Sequence, residues 1–275
     1  QGTCRTSHVA ECPDVAPECA TTEIPAHLHR AAVQLTHLET TLGYGLRERV
    51  QLSLHLPYDI KEMVIRYETL DGQPFTPPYG DIHHRTQTLR GISDPTIGVD
   101  WMARSNLMLG VGLSLPLGDT VPNPIVLGRQ GLTHQHIQFG SGTFRPTLSA
   151  QWRRPGERVS FFARGDMRLS LYENGEGFRA PNNFLWSLGP SIRARGMSFD
   201  PRLQGQHQTL GKWNGEPDEG DGFTNVGVRL QLTLPPYRGI SIAPGVYREI
   251  YSQGLHHEEK FRQGTTWSLS MTRSF

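Results

Sequence analysis

From about residue 31 onward, apolar and polar residues alternate in runs that each end in a turn. The stretch RVQLSLHLPY sets Val50, Leu52, Leu54 and Leu56 on one face, and NLMLGVGLSLPLG sets Leu107, Leu109, Val111, Leu113, Leu115 and Leu117 there. The same alternation places Phe144, Leu148, Ala150 and Trp152, then Val159, Phe161, Ala163, Met167, Leu169 and Leu171, then Val226, Val228, Leu230, Leu232 and Leu234. Period two over so many segments predicts strands with two different faces. Helical spacing is nearly absent. The segments fall near residues 31–45, 48–58, 61–69, 95–104, 106–117, 142–154, 157–172, 183–195, 197–209, 223–235, 238–252 and 264–275. They predict an all-β fold, an antiparallel up-and-down transmembrane β-barrel of about 12 strands, with roughly eleven or fourteen as alternatives.

The connections also alternate. RRPGE, ARSN, RARG and PPYRG are tight, whereas 70–94, 118–141, 173–182, 210–222 and 253–263 are long and rich in Gly, Pro and charge. Short turns on one rim and long loops on the other fit an outer-membrane barrel, with periplasmic turns and extracellular loops. Alternation alone does not say which face looks inward, since a lipocalin-like soluble barrel buries its apolar face. Tryptophan placement favours the membrane. Trp101 and Trp152 fall on the apolar face near short turns, and Trp186 and Trp267 on the same face near long loops. That is the arrangement of two interfacial girdles, the alternative being core tryptophans.

On this assignment the polar face lines the lumen with Arg145, Arg164, Asp166, Arg168, Arg193, Asp200, Arg202 and Arg229, and with Asp100. Cations outnumber acids there, which predicts a preference for small anions unless each Arg is paired with an acid. Composition does not conflict with this. The chain has 275 residues and a formal net charge of +1, and its mean hydropathy is −0.45. It lacks an apolar run long enough for a membrane helix, but a barrel strand needs only about 9–11 residues with every second one apolar.

The chain finishes GTTWSLSMTRSF, with Trp267, Leu269, Met271 and Phe275 in phase to the last residue. This resembles the C-terminal signature of bacterial outer-membrane proteins, which implies recognition of Phe275 by the barrel-assembly machinery. A second resemblance rests on LGYGLRERVQLSLHLPY and GISDPTIGVDWMARSNLMLGVGLSLPLGD, through Tyr44, Gly45, Leu46, Pro57, Tyr58, Gly91, Asp94, Gly98 and Pro116. These phrases are similar to those of the porin-like outer-membrane family labelled transporter or linked to the meta-pathway of phenol degradation. Its GxGD phrase stands here as GISD.

Residues 1–30 show no such alternation and are expected to form a Cys/Pro-rich N-terminal extension, leaving 31–275 for the barrel. Export to the outer membrane implies that a signal peptide has been removed. Cys4, Cys12 and Cys19 predict one disulfide of open pairing and one thiol left for a partner protein. Close histidine pairs mark three long loops: His83 and His84, His134 and His136, His256 and His257. Imidazoles suit zinc or copper, although histidine is also an ordinary surface residue. No nucleophile phrase such as GxSxG occurs, so no enzyme is expected, and the expected partners are membrane lipid, lipopolysaccharide and a small solute, with no nucleic acid. The resulting expectation is a porin-like channel for small polar, anionic solutes. The alternative is a closed barrel whose loops or N-terminal segment bind a partner protein or a metal.

Overall fold

The computed structural model describes residues 2–10, 26–77, 85–135, 137–218, 222–255 and 262–273, and only the backbone of 2–10 and 262–263. Its strands, in chain order, begin with β1 (Gly2–Ala10), β2 (His27–Arg47), β3 (Val50–Thr69), β4 (Gln87–Ile92), β5 (Thr96–Arg104) and β6 (Leu107–Ser114). After the short helix α1 (Pro124–Arg129) come β7 (Arg145–Arg154), β8 (Val159–Arg168), β9 (Phe178–Arg179), β10 (Asn183–Ala194) and β11 (Met197–Gln208). The remainder are β12 (Gly211–Trp213), β13 (Glu216–Asp218), β14 (Phe223–Thr233), β15 (Ile240–Gly254), β16 (Arg262–Gln263) and β17 (Thr266–Arg273).

Fourteen of these strands form one sheet, ordered β16-β1-β2-β3-β5-β6-β7-β8-β10-β11-β14-β15-β17, with β4 beside β3. Among the described residues, every ladder of this sheet is antiparallel. β4 and β5 both run along β3, and β16 leads directly into β17, so the fourteen strands occupy about twelve places, an even number as in bacterial barrels. The ring closes where β1 meets β16, pairing Cys4 with Gln263 and Arg5 with Arg262. Among the described residues no helix is long and apolar enough to cross a membrane.

The strands begin before residue 31. β1 lies within the sheet, and β2 starts at His27. β1 pairs only with the loop-side part of β2, His27–Leu35. Its sequence GTCRTSHVA carries no apolar row, which explains why alternation does not reveal it. The expected strands 48–58 and 61–69 are a single strand, β3, which stays paired with β2 from Val50 to Thr69. The gap left at 59–60 is not a turn, because Asp59 and Lys61 both occupy the inward phase of an unbroken ladder.

Apolar side chains outline the outer wall. Successive ladders align Tyr44, Leu52, Val99, Val111, Leu148 and Met167 in one row. Tyr44, Leu52, Val99, Val111 and Leu148 are exposed, as are Leu269 and Met271 on β17. A continuous apolar belt on this scale is far larger than a water-exposed surface normally carries, and lipid is the surrounding that stabilises it. Trp101, Trp152, Trp186 and Trp267 are all exposed on this face, Trp267 to 66%, whereas Trp213 is 3% exposed within the loops. Four of the tryptophans are therefore not core residues.

The tight turns share one rim. Between β10 and β11, Arg195 and Gly196 take φ of 51° and 78°, the two positive values of a type I′ hairpin turn. The long connections gather at the opposite rim, where β9, β12 and β13 form a separate three-stranded sheet.

Candidate functional site: the barrel interior and its inserted loop

Opposite the apolar row, the same ladders align Gln51, Asp100, Gly110, Ser149 and Asp166, and next to it Ser53, Gly98, Gly112, Thr147 and Arg168. Arg164 on β8 lies within electrostatic reach of Asp100 on β5 and Glu39 on β2. Those strands are separated along the sheet, so only projection across the ring brings their charges together.

Of the inner arginines, Arg164 and Arg202 have an acid within 4 Å, whereas Arg145, Arg168, Arg193 and Arg229 have none among the described residues. Arg164 is held by Asp166, with Nε 2.8 Å from Oδ2 and Nη2 2.7 Å from Oδ1. Arg202 donates to Asp200 at 3.5 Å and lies 3.9 Å over the Phe162 ring. Asp200 also accepts from Ser198, and Arg229 donates to Ser268 Oγ at 3.4 Å. Arg193 is exposed beside the β10–β11 turn.

Arg145 and Arg168 differ. They are near enough to feel each other's charge, and neither makes an ion pair within 4 Å among the described residues. Arg145 is 7% exposed. Its Nη2 donates to the Pro181 carbonyl at 2.5 Å, and its Nε is buried with no hydrogen-bond partner among the described residues. The acid that both arginines sense is Asp94.

Asp94 is already engaged, because it anchors the connection between β6 and β7. Its Oδ1 accepts from Gly118 N at 3.0 Å, and its Oδ2 accepts from Ser141 N at 2.8 Å and Ser141 Oγ at 2.7 Å. Lys61, inward on β3, donates to the Gln138 carbonyl at 2.6 Å and sits 4.6 Å from the Phe139 ring centroid. A Cβ at Gly91 would stand 3.0 Å from that ring, so the absent side chain lets Phe139 lie on the inner wall. The described residues of 115–144 thus fold inward against β3 and β4 and are anchored by Asp94, just before β5. The phrase GISD supplies both the space, at Gly91, and the anchor, at Asp94.

This loop also carries α1, capped by Asn123, whose Oδ1 accepts from Ile125 N and Val126 N at 3.0 and 3.2 Å. Val121 packs with Phe178, Ala180 and Trp213 from the neighbouring loops. The Phe178 and Trp213 ring centroids are 4.7 Å apart, and Trp213 Nε1 donates to Asp218 at 3.1 Å. Asn174 ties these loops to the inserted one through the Ser141 carbonyl at 3.1 Å.

One cluster is not recognised from sequence. His37 Nδ1 lies 2.6 Å from Asp59 Oδ1, His55 Nδ1 lies 3.4 Å from Glu39 Oε1, and Ser93 donates to Asp59. The residues alternate visibly on the polar faces of β2 and β3, but only the register brings His37 opposite Asp59 and Thr41 opposite His55.

Of the loop histidines, His134 is buried, with Nδ1 2.9 Å from the Leu132 carbonyl. His83, His84, His136, His256 and His257 lie outside the described residues, as do Cys12, Cys19 and Phe275. Cys4 is described only as backbone, in β1. Among the described residues, no group of three His, Cys, Asp or Glu is arranged to hold a metal ion.

No profile of a known protein family matches the chain, and no curated protein matches it. Solved structures do match. One is the crystal structure of an outer membrane channel from Pseudomonas putida F1, which aligns with a TM-score of 0.55 at 12% sequence identity over 98% of this chain and 94% of that one. At that identity the likeness is one of fold, and the chain is an antiparallel transmembrane β-barrel of the architecture in which that channel is built.

Proposed function

We propose that this protein is an outer-membrane channel for passive passage of small anions such as carboxylates or phosphate esters. The observation that carries this reading is the pair Arg145 and Arg168, two neighbouring inward cations with no ion pair among the described residues, near the loop that Asp94 anchors on the inner wall. Where Arg164 and Arg202 each have an acid within 4 Å, Asp166 and Asp200, these two have none among the described residues. In a partly desolvated passage a unit charge acts more strongly than in bulk water, where two charges at 4 Å interact by only about 1 kcal/mol. A solute anion therefore gains where a cation is repelled. The fold shared with an outer membrane channel supports the route and the location. The apolar belt would face membrane lipid and lipopolysaccharide, and Phe275 would be read by the assembly machinery.

A second reading is favoured by the loop assembly itself. The contacts of Val121, Phe178, Ala180 and Trp213 would serve a closed barrel that binds partners at its loop rim. Swelling of liposomes containing the purified barrel separates the two. The channel reading expects a small carboxylate to enter faster than an amine of matched size. Equal exclusion of both would favour the closed barrel, and faster entry of the amine would contradict the anion preference.

A further inference from the structure

The five short turns with their flanking residues, 47–49, 104–106, 153–158, 193–196 and 235–239, each carry arginine. Arg47 and Arg49 flank the β2–β3 turn, Arg104 ends β5, and Arg193 and Arg195 stand at the β10–β11 turn. The β7–β8 connection holds Arg153, Arg154 and Arg158, and the β14–β15 turn holds Arg238. All nine are exposed, and none makes an ion pair within 4 Å among the described residues. The acids of these turns are Glu48 and Glu157, so nine cations against two acids give the rim a net charge of +7 in a chain of formal net charge +1, and the remainder is net −6. Charge is thus segregated to one end of the barrel. The turns also lie side by side. Met102 N donates to the Arg49 carbonyl at 2.8 Å, Arg153 N to the Asn106 carbonyl at 2.9 Å and Arg193 N to the Arg158 carbonyl at 2.8 Å. The pairing of Ser198 with Thr233 sets the β14–β15 turn next to that of β10–β11.

We propose that this rim binds the headgroups of anionic phospholipid in the periplasmic leaflet, with the guanidinium groups on the lipid phosphates. The proposal rests on the reading of the apolar belt as lipid-facing. The belt sets the level of the rim, because Trp101 and Trp152, exposed on the outer face, precede Arg104 by three residues and Arg154 by two. Two to three residues of strand span about 7–10 Å, which strand tilt reduces to about 5–8 Å along the membrane normal. The headgroup layer beyond each side of the hydrocarbon core is about 5–7 Å thick. Arg154 points outward into that layer, since it is in register with Phe161, which is 51% exposed on the outer face. Arginine suits the task because its planar fork of donors matches two oxygens of one phosphate. The distribution selects the occupant. A compact acidic protein needs its cations gathered in one patch, whereas arginine on every short turn is spread around the ring, where a surface of headgroups meets all of it at once.

The test is reconstitution of the whole chain into phosphatidylcholine vesicles with a trace of spin-labelled lipid, followed by electron paramagnetic resonance of the motionally restricted fraction. Spin-labelled phosphatidylglycerol is expected to associate roughly threefold or more tightly than spin-labelled phosphatidylcholine, because each cation at the surface attracts an anionic headgroup. The preference should shrink in high salt. R153Q/R154Q/R158Q should lower it, and adding R193Q/R195Q should lower it further, whereas R129Q in α1 of the inserted loop should leave it in place. Heat-modifiable gel mobility reports that each variant is folded. Equal association of the two lipids with the wild type, or a preference unchanged in the folded turn variants, would overturn the proposal. So would loss of the preference on adding glycerol 1-phosphate but not sodium chloride of the same ionic strength, which would assign the rim to free phosphates. Restriction of phosphatidylcholine itself reports whether the belt meets lipid, and no conductance is read, so failure at the rim is separable from failure of the belt or of the channel reading.

Discussion

The barrel wall and the loop inserted into it are stabilised by different means. The wall is a periodic ladder, in which strands pair side by side along their backbones and direct alternate apolar side chains to lipid. The described residues of 115–144 have little regular backbone pairing. They are held by individual side chains: Asp94 on Gly118 and Ser141, Lys61 on Gln138, and Asn174 on Ser141. A wall built by repetition tolerates conservative change at many positions. A loop held by a few polar groups depends on each of them.

The largest effect is expected from a charge on the outer wall. Val111 is exposed in the centre of the apolar row, and Val111→Arg should cost about 2–4 kcal/mol if it lies near the bilayer midplane. The heat-modifiable band should diminish sharply. An undiminished band would mean that this face does not meet lipid. Next is Asp94→Ala, which removes the three hydrogen bonds that Gly118 and Ser141 donate to this carboxylate but leaves the ladder of the wall intact. The wall should still assemble while residues 115–144 become accessible to protease and single-channel conductance rises. Unchanged conductance and protection would show that the loop is held by other contacts.

A smaller effect is expected at Gly91. Gly91→Val would press on the Phe139 ring and shift the loop without releasing its anchor, so conductance should change in the same direction as for Asp94→Ala but by less. The smallest change in selectivity among the inner arginines is expected from Arg202→Gln, because Arg202 already shares its charge with Asp200 and rests on Phe162. A shift as large as that produced at Arg168 would break the distinction between paired and unpaired cations.

The contrast between wall and loop also explains what could be read from sequence. Lipid on one side and a polar interior on the other impose period two, so Leu107–Leu113 or Phe199–Leu203 reveal both the strand and its facing. β1 escapes this because it pairs only above the apolar belt, and β4 because six residues carry too little pattern. Asp59 is misleading in the opposite way, because an inward charge in the gap between two expected strands belongs to one continuous strand. The loop has no comparable pattern. Asp94 stands out in the GISD phrase, but its partners Gly118 and Ser141 are 24 and 47 residues away. Among the inner arginines, residue type suggests a positive wall, but it does not distinguish Arg164, held by Asp166 two residues on, from Arg145 and Arg168.

That distinction is the central claim, and reversal potential in a planar bilayer under a salt gradient tests it most directly. The wild-type barrel should conduct with a preference for the anion, and Arg145→Gln/Arg168→Gln should move the potential towards neutrality more than Arg164→Gln or Arg202→Gln. A cation preference in the wild type, or a potential unmoved by the double substitution, would contradict the account.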